Sequence, residues 1–399
     1  MKKVTIISNN LECDELAGYF SRLEKYFRIN NWEISKDLNA DLIIIVACGA
    51  IDLVYLYVKN ALSDIYAKKG DYESTIIMGC QAITYRDKLQ QIFDGRMIAY
   101  GEENILDEII CAKNKFSDIK TPNVYKFSDE YPNELFTIII STGCLKRCTY
   151  CIINKAHGSI KSKKIQDICE EYAVAIKYGY KNVALSGTDT SVYGYDNGEN
   201  IINLLDKLIQ MDSTIQFYIE NLHPHNLIKY KEEFIRLTEK NIFAYLHIPL
   251  QHVDDAILKK MGRDTVFSEI YDMVIKLKEV SPKTIIITDF IYGFPGETDA
   301  QFSKLLEFVQ NDAYFDYYYI HDYSDIPGTA SYNFKSKIRE EEMKKRGLQI
   351  MVAFERRKKE KKSRMDSHNY RIFRNRYNIE EFIRKEKGYY ICENTYQII

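Results

Sequence analysis

Thr137-Ile-Ile-Ile-Ser-Thr-Gly-Cys144-Leu-Lys-Arg-Cys148-Thr-Tyr-Cys151 is the stretch on which the reading of this chain turns. Its opening residues, Thr137 to Ile140, are all β-branched, the mark of a short buried strand. The thiols that follow therefore sit on a loop at the strand's C-terminal end, which is where β/α barrel enzymes place their chemistry. Cys144, Cys148 and Cys151 cannot all pair with one another, but they can converge on one inorganic centre. A cuboidal 4Fe-4S cluster is normally held by four thiolates, so a loop that offers three leaves one iron open to a small molecule. The competing reading is a zinc knuckle, which wants a fourth Cys or His at a closing position. The nearest candidate, His157, is followed by Gly158 within a separate stretch.

Composition bounds the rest. A chain of 399 residues has room for two to three domains with substantial cores. With 55 Lys+Arg against 57 Asp+Glu there is no general polycationic surface to hold nucleic acid. No stretch approaches the roughly 20 apolar residues of a membrane span, and the basic start, Met1-Lys-Lys-Val-Thr-Ile-Ile-Ser8, lacks the apolar core of a signal peptide. A cytoplasmic setting is expected, in which nine cysteines point to metal ligation rather than disulfides.

An α/β fold in successive parts is expected. Residues 1–120 alternate apolar runs (Val4 to Ile7, Leu42 to Ala47, Thr75 to Met78) with helical patterns such as Asp52 to Lys69, which reads as a βαβ domain with a parallel sheet. Loops after the second and third runs carry Cys48 and Cys80. Residues 121–134, with Pro122 and Pro132, read as a linker. Over 135–335, strands at Val183 to Leu185, Phe217 to Glu220, Ala244 to Ile248, Thr284 to Phe290 and Tyr317 to His321 alternate with amphipathic helices, the rhythm of a partial or full parallel β/α barrel. Residues 336–399 read as a charged helix and a short tail. The run Arg356-Arg-Lys-Lys-Glu-Lys-Lys-Ser-Arg364 offers either a solvated helix face or a contact for an acidic partner.

Five segments, taken in order, carry a resemblance. They are Gly143 to Ile153, Leu246-His-Ile-Pro-Leu-Gln-His252, Leu258-Lys-Lys-Met-Gly-Arg263, Thr288-Asp-Phe-Ile-Tyr-Gly-Phe-Pro-Gly-Glu-Thr298 and Pro327-Gly-Thr329. Together they resemble the methylthiotransferases, radical S-adenosylmethionine (SAM) enzymes that insert a methylthio group into an unreactive C–H bond. Thr188-Asp-Thr-Ser-Val-Tyr-Gly194, Pro249-Leu-Gln-His252 and Cys48-Gly-Ala-Ile-Asp52 are most similar to the branch that modifies an aspartate of a small-subunit ribosomal protein. The resemblance implies a radical SAM barrel whose 4Fe-4S cluster, on Cys144, Cys148 and Cys151, chelates SAM and releases a 5'-deoxyadenosyl radical. It also implies a second 4Fe-4S cluster in the N-terminal domain, a protein or peptide substrate, and a low-potential electron donor such as flavodoxin or ferredoxin. Typical members end in a small β-barrel that helps to bind the substrate; here only 34 residues follow Met365.

Individual residues keep two readings each. Gly187 and Gly293 either admit the backbone close to SAM or only turn strands into helices. Gln251 and His252 end a barrel strand, where side chains tend to be functional, although a lone His is as readily a satisfied core residue. Tyr150 packs on the cluster or the adenine, or belongs to the core. Of the second cluster's ligands, Cys48 and Cys80 fall where the family has them, but the first does not match. The chain reads Ile6-Ile-Ser-Asn-Asn-Leu-Glu-Cys13, with the thiol several residues late. Cys13 is a displaced ligand, or the cluster has two thiolates and another ligand, or it is lost. Cys111, Cys169 and Cys392 read as structural.

Three functions from different classes follow. The first is a methylthiotransferase acting on a protein or peptide. The second is a tRNA methylthiotransferase or a radical SAM enzyme with a different reaction. The third is a noncatalytic iron-sulfur electron carrier.

Overall fold

The computed structural model describes residues 1–8, 13–49, 52–120, 135–360 and 390–391. The linker expected at 121–134, the end of the basic run from Lys361, and Cys392 lie outside the described residues. Two parallel sheets carry the α/β fold. The first contains β1 (Lys3–Ser8), β2 (Glu33–Ser35), β3 (Leu42–Val46), β4 (Thr75–Met78) and β5 (Arg96–Ile98), with β1, β3, β4 and β5 side by side and β2 paired to β1. Every residue of β3 and β4 is buried, as befits parallel strands covered on both faces. Alternation divides their side chains between two cores. Val4, Ile6, Leu42, Ile44 and Val46 pack with Leu16, Phe20, Leu23 and Phe27 of the helix Asp14–Ile29. On the opposite face Ile7, Ile43, Ile45 and Ile77 meet Val58, Leu62 and Ile65 of the helix Asp52–Lys69.

The second sheet contains β6 (Phe136–Thr142), β7 (Lys161–Ser162), β8 (Asn182–Gly187), β9 (Gln216–Ile219), β10 (Phe243–His247), β11 (Ile285–Tyr292) and β12 (Tyr317–Asp322). Its order is β12-β11-β10-β9-β8-β6-β7, and every pairing is parallel except that of the short β7 with β6. Among the described residues β12 does not pair with β6, so the barrel is partial and open on one side. The C-terminal ends of its parallel strands face one mouth.

The end of the chain does more than the sequence reading expected of a short tail. β13 (Tyr390–Ile391) pairs antiparallel with β1, setting Ile391 opposite Ile7 and Tyr390 opposite Ser8. The reason is an open edge, because β2 covers only Lys3 to Thr5 of β1. The charged helix is Glu340–Glu360, and it docks on the barrel through buried Ile350, Ala353 and Phe354. Phe354 meets Tyr317 edge-on with ring centroids 5.3 Å apart. Within the basic run, Arg357 donates to the Asp312 carbonyl oxygen and so anchors the helix rather than facing solvent.

Arg346 locks this helix in place. Its guanidinium donates to Glu297 at 2.6 Å, Asp299 at 2.6 Å and Glu342 at 3.2 Å, and its side chain is 3 % exposed against 0 % for Glu297. Removing one partner of such a buried pair strands the other charge. Arg346→Ala should therefore lower stability by about 3–5 kcal/mol, read from denaturant unfolding. A loss below about 1 kcal/mol, the range of exposed pairs, would refute this account of the anchor.

Candidate active site

The cysteines are delivered by strand register. Ser8 of β1 lies opposite Val46 of β3, and Val46 lies opposite Met78 of β4. Cys48 and Cys80 each follow two residues beyond this aligned row, so neighbouring parallel strands present them at the same sheet edge. The equivalent place after β1 is Asn10. Cys13 instead precedes the helix Asp14–Ile29 as its N-cap, and its thiol is nonetheless brought to the same cavity as Cys48 and Cys80. On the barrel, Cys144, Cys148 and Cys151 follow β6 and face them. One cavity of about 500 Å³ between the sheets is lined by all of these thiols.

Burial opposes ionisation of four of these thiols. Burial, then Cys48, Glu15 and Cys80, pushes the Cys13 thiol well above its ordinary range. Cys80 is raised by burial, then by Cys48 and Glu15. Burial and the neighbouring Asp189 push Cys144 up to about 12, against the stabilising Lys146 amide, which donates to its sulfur at 3.3 Å. Cys151 is raised by burial and by Cys148. Such thiols ionise readily only when a ligand brings positive charge.

The barrel strands contribute the polar half of the wall. Gly187 ends β8, and Thr188 and Asp189 follow it; Glu220, Asn221 and His223 follow β9; His247 ends β10; Asp289 and Ile291 lie on β11; Tyr319 and His321 lie on β12. Tyr150 lines the cavity and its hydroxyl accepts from Arg263 Nη2 at 3.0 Å. Gln251 is there too, buried, at a φ of 78°, with its backbone bonded to Asp289 and Ile291 of β11. Gly187 lines the cavity, and a Cβ there would meet the Ser141 carbonyl oxygen at 2.5 Å, so close packing of β8 on β6 already demands glycine. Gly293 lies elsewhere, outside the residues lining this cavity. Its φ is 76°, and a Cβ would strike Met343 of the C-terminal helix. His252 is wholly buried away from the cavity; Nδ1 accepts from the Asp254 amide at 3.0 Å, and Nε2 donates to Glu297 at 2.9 Å.

Sequence reasoning gave no role to the cavity's strongest donors. Arg263 is 8 % exposed, and its Nε and Nη1 have no hydrogen-bond partner. His223 Nδ1 accepts from the His225 amide at 3.2 Å, which leaves the hydrogen on Nε2, also unpartnered. Burial and then Arg263 lower its pKa well below the ordinary value, so the ring is neutral. Unpaired donors at this depth fit an anionic ligand group. The signal for Arg263 lay in the quoted Leu258–Arg263 segment, where the only positive side chain after the helix is the one turned inward.

Residues 138–309 match the radical SAM superfamily. In fold, the chain is similar to the radical SAM methyltransferase TsrM from Kitasatospora setae, with a TM-score of 0.53 at 14 % identity over 77 % of this chain and 72 % of that one. The open barrel with a three-thiol loop at its mouth is thus that of a radical SAM enzyme.

Its place within that class comes from closer relatives. The chain is 30 % identical to the ribosomal protein uS12 methylthiotransferase RimO of a Thermotoga species (strain RQ2), over 86 % of this chain and 80 % of the relative. It is 29 % identical to the RimO of Protochlamydia amoebophila, over 80 % and 70 %. It belongs to the radical SAM methylthiotransferases, the family of the RimO proteins, and is a transferase that uses SAM and iron-sulfur clusters. The residues fit such cofactors: six thiols are grouped around one cavity, and buried unpaired donors face the same space. Among the described residues no three Cys, His, Asp or Glu groups close around a single ion. Ligands to separate irons of a cubane need no such convergence.

His247 supplies a pH test of the polar wall. Nε2 lies 2.9 Å from Asp289 Oδ2, and Nδ1 lies 3.4 Å from Glu220 Oε2. Burial alone would lower its pKa, but Asp289 and Glu220 outweigh burial and hold it up to about 10. The unfolded value is about 6.5, so the folded protein binds the extra proton between the two. The resulting stabilisation is full below about pH 6.5 and is lost as pH rises through about 10. The stability gap between wild type and His247→Gln should shrink over that window in thermal unfolding; a gap that widens with pH would contradict it.

Proposed function

We propose that this chain methylthiolates a side chain of a protein or peptide at an unactivated carbon, with a uS12-type ribosomal protein as the first substrate to test. One observation carries the reading: the thiols of two separate sheets line a single cavity at the mouth of the barrel. A methylthiotransferase must bring a carbon radical and a sulfur source to one place, and this cavity is that place. The name borne by the relatives, ribosomal protein uS12 methylthiotransferase, favours the polypeptide substrate. The near balance of 55 basic and 57 acidic residues agrees with it over an RNA target.

In this reading Cys144, Cys148 and Cys151 hold the cluster that binds SAM, and Cys48, Cys80 and Cys13 hold the second. When bound, SAM and the clusters supply radical formation, sulfur and the methyl group. The chain's own residues do the rest. Arg263 and the His223 Nε2–H receive the SAM carboxylate, while the backbone after Gly187 and at Gln251 borders the nucleoside. Residues 1–120 act as the sulfur-side domain and 135–335 as the radical-generating barrel, braced by the helix Glu340–Glu360. The setting is the cytoplasm, with flavodoxin or ferredoxin as electron donor. No helix among the described residues is long and apolar enough to cross a membrane.

Anaerobically reconstituted protein given a low-potential reductant should cleave SAM to 5'-deoxyadenosine. Alanine at Cys144, Cys148 or Cys151 should abolish cleavage, and Arg263→Ala should raise the KM for SAM at least about tenfold, the loss of one charged hydrogen bond. Mass spectrometry of ribosomal protein uS12 should show a gain of about 46 Da, one methylthio group in place of hydrogen. Cleavage that survives in all three cysteine variants would sink the assignment. Methylthiolated adenosine in tRNA, absent from the variants, would move the substrate to RNA.

A further inference from the structure

His157 closes the short helix Ile153–His157 directly after the barrel's thiol loop, yet its ring reaches the other sheet's thiols. Its Nε2 lies 3.3 Å from Cys80 Sγ and its Nδ1 lies 3.1 Å from Glu15 Oε2. Both side chains are enclosed, at 8 % and 11 % exposure, and the ring packs on Tyr100 with centroids 4.8 Å apart. The other oxygen, Glu15 Oε1, accepts from Thr188 Oγ1 at 2.6 Å, and that hydroxyl accepts from the Gly143 amide at 3.0 Å. A continuous hydrogen-bonded path thus runs from Gly143, beside Cys144, through Thr188, Glu15 and His157 to Cys80. It crosses between the sheets, and it separates the thiol cavity from a second cavity that shares Glu15 and His157 in its lining.

We propose that His157, oriented by Glu15, donates a hydrogen bond to the sulfur of iron-bound Cys80, so that one side chain of the barrel tunes the cluster of the N-terminal sheet and fixes its position against the SAM site. The proposal rests on Cys80 being an iron ligand. A ligated thiolate sulfur can only accept, so Nε2–H is the donor. Glu15 fixes the ring from its far side, in the way that carboxylates orient metal-site histidines. A hydrogen bond to a cluster sulfur favours the reduced, more negative cluster and raises its potential, more so where water is excluded. His157 is a positioning residue in this scheme, because it touches the ligand rather than the substrate.

The test uses the full chain, reconstituted, with His157→Phe, His157→Gln and Glu15→Gln. Iron and sulfide are counted first, and each cluster is then titrated by EPR, with the SAM-responsive signal identifying the barrel cluster. Wild type should hold about eight irons, as two cubanes require. In His157→Phe the potential of the SAM-insensitive cluster should move negative. In His157→Gln, whose amide N–H can reach the same sulfur, most of that shift should be recovered, and Glu15→Gln should shift it in the same direction by less. A fully loaded His157→Phe with an unchanged potential overturns the proposal. If His157→Phe fails to assemble the second cluster, His157→Gln decides: a retained cluster at near wild-type potential supports the proposal, and a lost one overturns it. Wild type that binds only the SAM-responsive cluster would instead overturn the reading of Cys80 as a ligand.

Discussion

Ionising a thiol inside this cavity requires positive charge close by, and the protein supplies little of it. The lining carries Asp14, Glu15, Asp189, Glu220, Asp289 and Asp322 against Lys146, Arg263 and the protonated His247; Lys146 is already paired to Asp264 at 2.8 Å, and His247 to Asp289 and Glu220. Each thiolate would add to an acidic surplus in a low dielectric: burial first pushes Cys13, Cys80, Cys144 and Cys151 upward, and Glu15 adds to it at Cys13 and Cys80 and Asp189 at Cys144. Iron and the thiols therefore need each other. The scaffold's task is to bring thiols from distant points of the sequence to one place and keep water out. In the N-terminal sheet, parallel strands that end in register do this for Cys48 and Cys80, and on the barrel one loop after β6 supplies all three thiols.

The two sheets must also face each other accurately, and the contacts that ensure it lie at the site itself. Glu15, at the start of an N-terminal helix, binds Thr188 from the barrel, and Cys80 meets His157. A polar tie buried at this depth is costly to leave half-made, so it specifies one arrangement of the sheets as well as contributing stability. On the far side of the barrel, Glu297 plays a similar part by joining His252, the Gly293 amide and Arg346.

Much of this was legible in the sequence, for identifiable reasons. β-branched runs such as Ile43 to Val46 can be little else than buried strands, and the helix over Asp52–Lys69 falls where its pattern put it. The cysteine loop announced itself by spacing. What escaped depended on partners remote in sequence. Whether His252 faces the cavity or the core turns on Glu297, 45 residues away. Gly187 and Gly293 looked like ligand approaches, but each also answers to a steric neighbour, Ser141 or Met343, that no local pattern reveals. Arg263 and His157 were visible as letters, but not as a cavity donor and a bridge. The pairing of β13 with β1 could not be read because it depends on an edge that β2 leaves half covered.

The two walls of the cavity follow different electrostatic rules. On the thiol side, burial holds Cys13, Cys80, Cys144 and Cys151 neutral, a state that positive charge brought by a bound cluster would relieve. On the barrel side, polar groups are already oriented, with His247 balanced between Asp289 and Glu220 and Arg263 aimed by its bond to the Tyr150 hydroxyl. Fixed dipoles of that kind need no reorganisation when a polar ligand arrives. The thiol wall waits for its charge, and the barrel wall is built in advance to orient a ligand that carries both.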